Sequence, residues 1–218
     1  MDKTPFTETL YYPILFMIII SVVFVGILAV MFRTSEAKIK ANEDNAYQLQ
    51  IVKLTAKTIA SELRLHESDL IANSQDTFKK YIKEDNSQSR KCFVVTASGK
   101  ELAYCYDIGG NGLWGSMRAL VALAPDRSTI IDFAVYSQME TPGLGARIEE
   151  EGFRTQFRGK KLLSGDNPTV FSLVPERQAT TSDTQIRQIT GATITSNSVL
   201  RMLKDEIMII KDQQGTAQ

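Results

Sequence analysis

The sequence has few of the residues that build metal centres and acid–base sites. It contains two cysteines, one histidine and one tryptophan in 218 residues. Two cysteines are too few for a cysteine-ligated iron–sulfur cluster or a cysteine-rich zinc site within one chain. His66 has no carboxylate or thiolate neighbour at a convincing metal-ligand spacing, so we expect it at the surface and predict no metal site.

The chain also has a formal net charge of zero. The 25 lysines and arginines balance 25 aspartates and glutamates, and no basic block interrupts the sequence. A nucleic-acid partner is therefore not expected. The length allows one globular domain with additional segments.

Charged residues are absent between Glu8 and Arg33. The residues from Leu10 to Phe32 are dominated by large apolar side chains. As a helix, this run would reach roughly 35 Å, which is enough to cross the hydrocarbon core. It is too long for a typical signal-peptide core, and no A-x-A cleavage site follows it before Arg33. We predict a short tail at 1–9 and an uncleaved transmembrane helix at 10–32.

Two kinds of secondary structure are predicted after this anchor. Residues 33–86 are polar and glycine-free, and their apolar side chains recur at the spacing of one or two amphipathic helices. From Lys91 onward the pattern changes to strands. Strands are expected at 92–96, 101–106, 117–124, 129–136 and 170–174, with a short helix at 148–161 that carries Phe153 and Phe157 on one face. The predicted fold class is α+β, with an antiparallel sheet and flanking helices.

The first two strands are predicted to form a hairpin with Ser98 and Gly99 at its tip. If the loop is only these two residues, Cys92 faces Cys105 in a non-hydrogen-bonded pair, at a distance that a disulfide can bridge. A longer loop or a bulge would shift the register and separate the sulfurs, which would then be buried thiols. Both alternatives stay open from the sequence.

A small, hydroxyl-rich segment precedes the last predicted helix. It reads Ile189-Thr190-Gly191-Ala192-Thr193-Ile194-Thr195-Ser196. Thr195 or Ser196 is a natural N-cap for the helix that follows. Thr193 would then lie just before a helix N-terminus, where free amides favour a phosphate. A simple alternative is a capped helix after a tight turn, with no ligand.

Three short segments together resemble one known family. They are Gly112-Leu113-Trp114, Glu140-Thr141-Pro142-Gly143-Leu144-Gly145 and Thr190-Gly191-Ala192-Thr193. Their order is similar to that of the membrane-anchored FMN-binding proteins, namely the G subunit of the Rnf electron-transport complex and the C subunit of the sodium-pumping NADH:quinone reductase. The resemblance implies an FMN-binding domain at 87–218.

The resemblance also implies roles for individual residues. It implies FMN attached through its phosphate to the hydroxyl of Thr193, in a site whose other residues are Thr190, Gly191, Ala192, Thr195, Leu113, Trp114, Glu140, Thr141, Leu144 and Arg187. Trp114 and Leu144 would pack against the flavin ring. Arg187 stands where the family usually has an aspartate that the flavin transferase reads, and a guanidinium there is expected to pair with the phosphate.

The implied function is electron transfer within a membrane ion-translocating oxidoreductase complex of the ferredoxin:NAD⁺ oxidoreductase type. The implied partners are other integral membrane subunits, membrane lipid and a flavin transferase, and the chain would not be catalytic alone. The family places the C-terminal domain on the extracytoplasmic side of the inner membrane. The positive-inside rule favours the opposite side, because Lys3 precedes the anchor whereas Arg33, Lys38 and Lys40 follow it.

Three alternatives remain from the sequence. The chain would be the C subunit of the quinone reductase instead of an Rnf-type G subunit. It would be a membrane-tethered binding module for a free phosphorylated ligand, or an unmodified structural component of a membrane assembly.

Overall fold

The computed structural model describes residues 11–86, 90–165 and 167–215. They fold into helices, a five-stranded sheet and two small two-stranded sheets. The helices are α1 (Tyr12–Leu63), α2 (Glu67–Ala72), α3 (Ser74–Tyr81), α4 (Glu151–Arg154) and α5 (Thr193–Gly215), with 3₁₀ turns at Gly145–Glu149 and Thr155–Phe157. The strands are β1 (Ile82–Asp85), β2 (Cys92–Ala97), β3 (Lys100–Asn111), β4 (Ser116–Leu123), β5 (Ile130–Ser137), β6 (Leu163–Ser164), β7 (Asn167–Pro168), β8 (Ser172–Val174) and β9 (Gln185–Arg187).

The chain divides into two compact units, 1–46 and 47–218, which are described separately. In the first unit, the apolar part of α1 is long and hydrophobic enough to cross a membrane, with a mean hydropathy of 3.2, and none of it is buried. This agrees with the predicted anchor in length and composition. The predicted tail at 1–9 lies outside the described residues.

The second unit is built on an antiparallel sheet in the order β1-β2-β3-β4-β5. One face packs against α5 and the segment that carries Phe153 and Phe157, and the other packs against the later residues of α1 and against α2 and α3. Because both faces are covered, the interior strand β4 is buried continuously from Ala119 to Leu123. The predicted α+β class with an antiparallel sheet is confirmed. The sheet begins with β1, before position 87, in a stretch that we predicted to be helical.

A β-bulge between β2 and β3 determines where the two cysteines lie. The predicted turn is confirmed, with positive φ at Ser98 and Gly99 and with Ala97 paired to Lys100. Farther along, Leu102 is an extra residue, so that Val95 pairs with Ala103. This one-residue shift reverses the face of every later partner.

Of the two alternatives that the sequence left open, the structure therefore contains the bulged register with separated thiols, and Cys92 does not pair with Cys105. Cys92 lies opposite Tyr106 and packs in the core on the α5 face, whereas Cys105 packs in the core on the α1 face. Both cysteines are free and fully buried. Burial raises the pKa of the Cys92 thiol to about 12 and also raises the pKa of the Cys105 thiol, so neither is a reactive thiolate.

A buried carboxylate joins α1 to the sheet within the second unit. Asp107 accepts hydrogen bonds from the hydroxyls of Tyr47 and Tyr136, each at 2.9 Å. The guanidinium of Arg118 lies 2.8 Å from the same carboxylate. Because the charge is neutralised and hydrogen-bonded, its burial is tolerated and fixes the position of Tyr47 on β3 and β5.

A second buried carboxylate, Glu206 on α5, is poorly compensated. It is 3% exposed, and its Oε2 lies 3.8 Å from Nε of Arg90. Its Oε1 has no hydrogen-bond partner among the residues that the structure describes. Burial raises the pKa of Glu206 from 4.5 to about 7, because desolvation outweighs the attraction of Arg90.

This raised pKa predicts that stability falls with rising pH. The folded protein binds the Glu206 proton more tightly than the unfolded chain, so the stabilisation is complete below about pH 4.5 and is lost as the pH rises through about 7. Replacing Glu206 by Gln should remove this loss. Between about pH 5 and pH 8, we expect the wild-type free energy of unfolding to fall by roughly 2 kcal/mol relative to Glu206→Gln.

Denaturant unfolding of the full chain in detergent at both pH values measures the difference. The matched control is Asp205→Asn, because Asp205 is an exposed neighbour on the same helix. The control should keep the wild-type pH dependence. If the wild type and Glu206→Gln lose stability in parallel, Glu206 does not titrate in this range.

Candidate cofactor-binding site

Two glycine turns build one side of the candidate site. In the first, the N–H of Leu144 donates to the carbonyl of Thr141 at 3.1 Å, with Pro142 at the second position and Gly143 at φ +75°. This is a type II turn, which requires glycine at its third position. The Pro142-Gly143 pair is the residue combination that such a turn favours.

The second turn leads into α5. The N–H of Ala192 donates to the carbonyl of Ile189 at 3.0 Å, and Gly191 has φ +78°. A Cβ on Gly191 would lie 3.0 Å from Cδ2 of Leu144. The two turns therefore pack against each other, and both glycines are needed for their backbone shape.

Helix α5 begins two residues earlier than its predicted caps. Thr193 is the first helical residue, and the carbonyl of Ala192 accepts the first helical hydrogen bond from the N–H of Ser196 at 2.9 Å. Thr195 and Ser196 are thus inside the first turn, so the prediction that one of them is the N-cap is wrong. The first-turn amides of Thr193 and Ile194 point out of the helix end, where an anion is favoured.

Glu140 connects this helix end to the loop between β3 and β4. Its Oε1 accepts hydrogen bonds from the backbone N–H groups of Leu113 at 2.8 Å and Trp114 at 3.0 Å. Its Oε2 accepts a hydrogen bond from the hydroxyl of Thr195 at 2.7 Å. Glu140 is 5% exposed and forms no ion pair with a residue in the described ranges, so these three donors carry its stabilisation.

The glycines around Glu140 make room for its carboxylate. A Cβ on Gly112 would lie 2.2 Å from Oε1, and one on Gly145 would lie 2.6 Å from Oε2. Residues 107–116 contain four glycines, a composition that permits unusual backbone angles and close approach of a ligand. Asp107 to Asn111 are instead part of β3, and Gly110 lies against Met202 of α5. The close neighbours at Gly110 and Gly112 are therefore atoms of the protein itself.

These elements enclose a cleft of about 400 Å³. That volume lies within the range of small-molecule sites. Its wall is formed by Leu113, Trp114, Glu140, Thr141, Leu144, Gly145, Gly191, Ala192, Thr193, Ile194 and Thr195. The structure thus brings together nine of the predicted site residues. Gly145 and Ile194 were not singled out, although both lie inside or directly beside the quoted motifs.

Two predicted site residues do not line the cleft. Arg187 lies on β9, where Ile186 points into the core and Arg187 is exposed. Its backbone N–H donates to Oε1 of Gln156 at 2.7 Å, and its Nε lies 3.4 Å from the same oxygen. Arg187 is therefore not among the residues that line the cleft with Thr193, and its pairing with a phosphate stays a prediction. Thr190 is exposed and also lies outside the cleft wall.

Glu176 supports the Thr190 turn through a hydrogen bond, and the sequence analysis did not single it out. Its Oε2 accepts a hydrogen bond from the N–H of Thr190 at 2.8 Å, and its Oε1 lies 2.6 Å from Nη2 of Arg147. The Arg147 guanidinium, followed by the Thr190 donors, lowers the pKa of Glu176 to about 2. Because β8 and β9 pair in parallel, with Val174 opposite Arg187, Glu176 comes close to Thr190, which sequence spacing does not reveal.

The hydroxyl groups of the motif differ in availability. Thr195 and Ser196 are buried; the Thr195 hydroxyl donates to Glu140, and that of Ser196 donates to the Ala192 carbonyl at 3.0 Å. The Thr190 hydroxyl interacts with Glu176. Thr193 is exposed on the cleft wall and forms no hydrogen bond with another described side chain. It is the available hydroxyl beside the helix N-terminus.

The chemistry of the cleft fits FMN. Its apolar wall contains Leu113, Trp114 and Leu144, all of which are exposed to solvent. Its other end carries the helix amides and the Thr193 hydroxyl. A flat aromatic ring with a phosphate on a flexible chain matches this separation of apolar and anion-binding surfaces.

Comparison with known proteins identifies the class. Residues 112–207 match the family model described as FMN-binding domain. This range contains all three motif segments and every residue of the cleft wall. The chain therefore carries an FMN-binding domain.

The similar proteins belong to two membrane complexes. The chain is 38% identical over 106 residues to the C subunit of the Na⁺-translocating NADH-quinone reductase of Vibrio anguillarum, covering 48% of this chain and 42% of that protein. It is 31% identical over 138 residues to the G subunit of the proton-translocating ferredoxin:NAD⁺ oxidoreductase complex of Clostridium ljungdahlii, covering 63% of this chain and 66% of that protein. The chain is a homologue of both proteins, although it spans less than half the length of the Vibrio relative.

Solved structures give the same fold. The crystal structure of the quinone-reductase C subunit from Parabacteroides distasonis superposes with a TM-score of 0.63 at 25% identity, covering 82% of this chain and 96% of that chain. Shewanella oneidensis NqrC shares the fold with a TM-score of 0.56. The predicted family resemblance is confirmed.

The contacts of Glu140 predict that its replacement destabilises the site. In Glu140→Ala, two backbone N–H groups and the Thr195 hydroxyl lose their acceptor, and we expect a loss of roughly 2–4 kcal/mol in the free energy of unfolding and a fall in bound flavin. Glu140→Gln should lose less, because an amide oxygen still accepts from Leu113 and Trp114. Denaturant unfolding and flavin absorbance of the purified chain measure both effects.

The control for Glu140 is Glu149→Ala, at an exposed glutamate on the neighbouring 3₁₀ turn. It should leave stability and flavin content close to wild type. Equal losses in Glu149→Ala and Glu140→Ala, or no loss in either, would contradict the connecting role of Glu140.

Proposed function

We propose that this chain is an electron-transfer subunit of a membrane ion-translocating oxidoreductase complex of the Rnf type. FMN, when bound, takes up and releases electrons, and the protein supplies attachment, orientation and electrostatics. The observation that carries the proposal is the meeting of three family motifs at one cleft, with the Thr193 hydroxyl exposed beside a helix N-terminus. No side chain of the chain is assigned as acid, base or nucleophile in turnover.

Thr193 is proposed as the covalent attachment point of FMN. Its oxygen would carry the flavin phosphoryl group as a phosphoester, replacing the hydroxyl proton. A flavin transferase must supply FMN with its phosphorus bonded to a good leaving group, because direct condensation would have to expel water from the phosphate. The bond to the leaving group would break as the bond from phosphorus to the Thr193 oxygen forms, and the leaving group would depart with the electron pair and be protonated. The commitment of Thr195 and Ser196 to buried hydrogen bonds supports this choice of hydroxyl.

The remaining cleft residues would hold and orient the cofactor. The amides of Thr193 and Ile194 would face the phosphate, while Trp114 and Leu144 would pack against the ring. Glu140 would act through the Leu113–Trp114 backbone and Thr195 instead of contacting FMN.

The Rnf type is favoured over the quinone-reductase type by coverage. The chain spans 66% of the Clostridium G subunit and 42% of the Vibrio C subunit. The quinone-reductase protein remains the second candidate, because that match has the higher identity of 38%. Other integral membrane subunits and lipid around 10–32 are the proposed partners, and the division into a 33–86 juxtamembrane segment and an FMN-binding domain at 87–218 stays a prediction.

Covalent attachment predicts a specific mass pattern. The denatured wild-type chain, purified from cells that contain the transferase, should carry the mass of FMN less one water. Thr193→Ala should lose this mass and its fluorescence, whereas Thr193→Ser should keep both. Intact-mass spectrometry under denaturing conditions measures all three proteins.

The control for Thr193 is Thr190→Ala, because Thr190 is exposed but lies outside the cleft wall and keeps its N–H bond to Glu176. It should retain FMN. Flavin that is released on denaturation would instead support a binding module for a free phosphorylated ligand. A colourless, unmodified wild type would support a structural role in the assembly. Arg187→Asp would then test whether Arg187 prevents attachment of FMN.

The extracytoplasmic side is proposed for the C-terminal domain from family resemblance. Cys92 and Cys105 are buried, so they should give no background in a cysteine-labelling experiment. Glu149→Cys introduces one exposed thiol, and a membrane-impermeant maleimide should label it in intact spheroplasts. The unsubstituted chain should stay unlabelled. Labelling only after permeabilisation would place the domain in the cytoplasm, as the basic-residue count favours.

A further inference from the structure

Exposed apolar side chains of the second unit concentrate around the cleft. Among its described residues, eight large apolar side chains are exposed, and six of them lie at the cleft or beside it: Leu113, Trp114, Met139, Leu144, Val170 and Ile194. Contiguous apolar surface of this kind marks a binding site, whereas single exposed residues are ordinary. The cleft wall accounts for four of the six.

Met139 and Val170 are not part of the cleft wall. Met139 is 71% exposed and Val170 is 78% exposed. A Cβ on Gly115 would lie 3.0 Å from Sδ of Met139, which places this side chain beside the Trp114 loop. A ligand confined to the cleft would leave both side chains in water.

Val170 belongs to a second groove that adjoins the cleft. The groove has a volume of about 440 Å³ and is lined by Thr169, Val170, Phe171, Ile194, Asn197, Leu200, Arg201 and Lys204. Ile194 is the shared wall, because it lines the groove and the cleft. A molecule in the groove would therefore lie next to the occupant of the cleft. We name this second site the basic groove.

The rim of the basic groove is positively charged. Arg201 and Lys204 are exposed on α5, and neither forms an ion pair with another residue in the described ranges. Asp205 is the neighbouring acid on this helix, but it does not line the groove. Half of the residues that line the groove are apolar, namely Val170, Phe171, Ile194 and Leu200.

We propose that the basic groove forms the docking surface for the redox partner of this chain within the complex. This rests on the proposed function. The occupant is a protein segment that places apolar side chains over Val170 and Ile194 and acidic side chains against Arg201 and Lys204. Apolar surfaces that include arginine are typical of protein interfaces. The positive charges of Arg201 and Lys204 would steer and align an acidic partner.

The shared Ile194 wall explains why this surface suits electron transfer. Docking in the groove brings the partner to the edge of the cleft without occupying it. Ile194 lines both sites and Thr193 lines the cleft, so a partner in the groove would be adjacent to the cleft that contains the attachment point. An uncharged or basic partner would leave Arg201 and Lys204 uncompensated, which disfavours it.

Site-specific photo-crosslinking tests the proposal in native membranes. The photoreactive p-benzoylphenylalanine replaces Val170 in the full chain, and crosslinked peptides are identified by mass spectrometry. The expected product joins position 170 to a peptide of another protein of the complex that contains aspartate or glutamate beside apolar residues. The matched control places the probe at Met208, which is exposed on α5 outside the groove.

Charge reversal provides the second measurement. In the Val170-probe chain, Arg201→Glu with Lys204→Glu should lower the crosslink yield by roughly tenfold, whereas Lys53→Glu, at an exposed lysine of α1, should not change it. Crosslinks to lipid or to a second copy of this chain, equal yields at Val170 and Met208, or a yield that is insensitive to charge reversal would each overturn the proposal.

Flavin mass in the same samples separates the two hypotheses. Attached FMN with no groove crosslink overturns the docking proposal and leaves the electron-transfer proposal intact. Groove crosslinks in a chain without flavin support the docking surface while rejecting covalent FMN. Arg201 and Lys204 lie outside the cleft, so charge reversal should leave flavin mass unchanged.

Discussion

The cleft depends on one buried carboxylate. Glu140 lies between the Leu113–Trp114 backbone and Thr195, and no cation neutralises it among the described residues. A buried charge of this kind persists only when its hydrogen bonds are complete. Its three donors therefore fix the distance between a loop, a turn and a helix that are far apart in the sequence, and Gly112 and Gly145 are small because larger residues would displace the carboxylate.

Features set by neighbouring residues were predictable from the sequence. The Ser98–Gly99 hairpin and the Pro142–Gly143 turn follow from local backbone preferences, and the structure contains both. The extra residue at Leu102 was not predictable, because a bulge is chosen by packing on two faces of the sheet. That single residue sends the two cysteines into different cores, and it removes the disulfide alternative.

The site shows the same division between local and distant information. The family resemblance of three continuous motifs pointed to nine of the residues that line the cleft. Arg187 was given a role at the phosphate, yet it lies exposed on β9 and does not line the cleft. The carboxylate that supports the Thr190 turn is Glu176, which arrives through the parallel pairing of β8 and β9. No spacing rule links Glu176 to Thr190 in advance.

The distribution of hydrogen bonds gives the cleft its selectivity. Glu140, Thr195 and Ser196 satisfy one another or the backbone inside the protein, so they present little unsatisfied polarity to a ligand. What remains toward solvent is an apolar wall at one end and helix amides with the Thr193 hydroxyl at the other. An apolar ring system that carries an anionic group fits these two surfaces. Because the buried polar groups satisfy one another, they leave few polar groups at the cleft surface to compete for such a ligand.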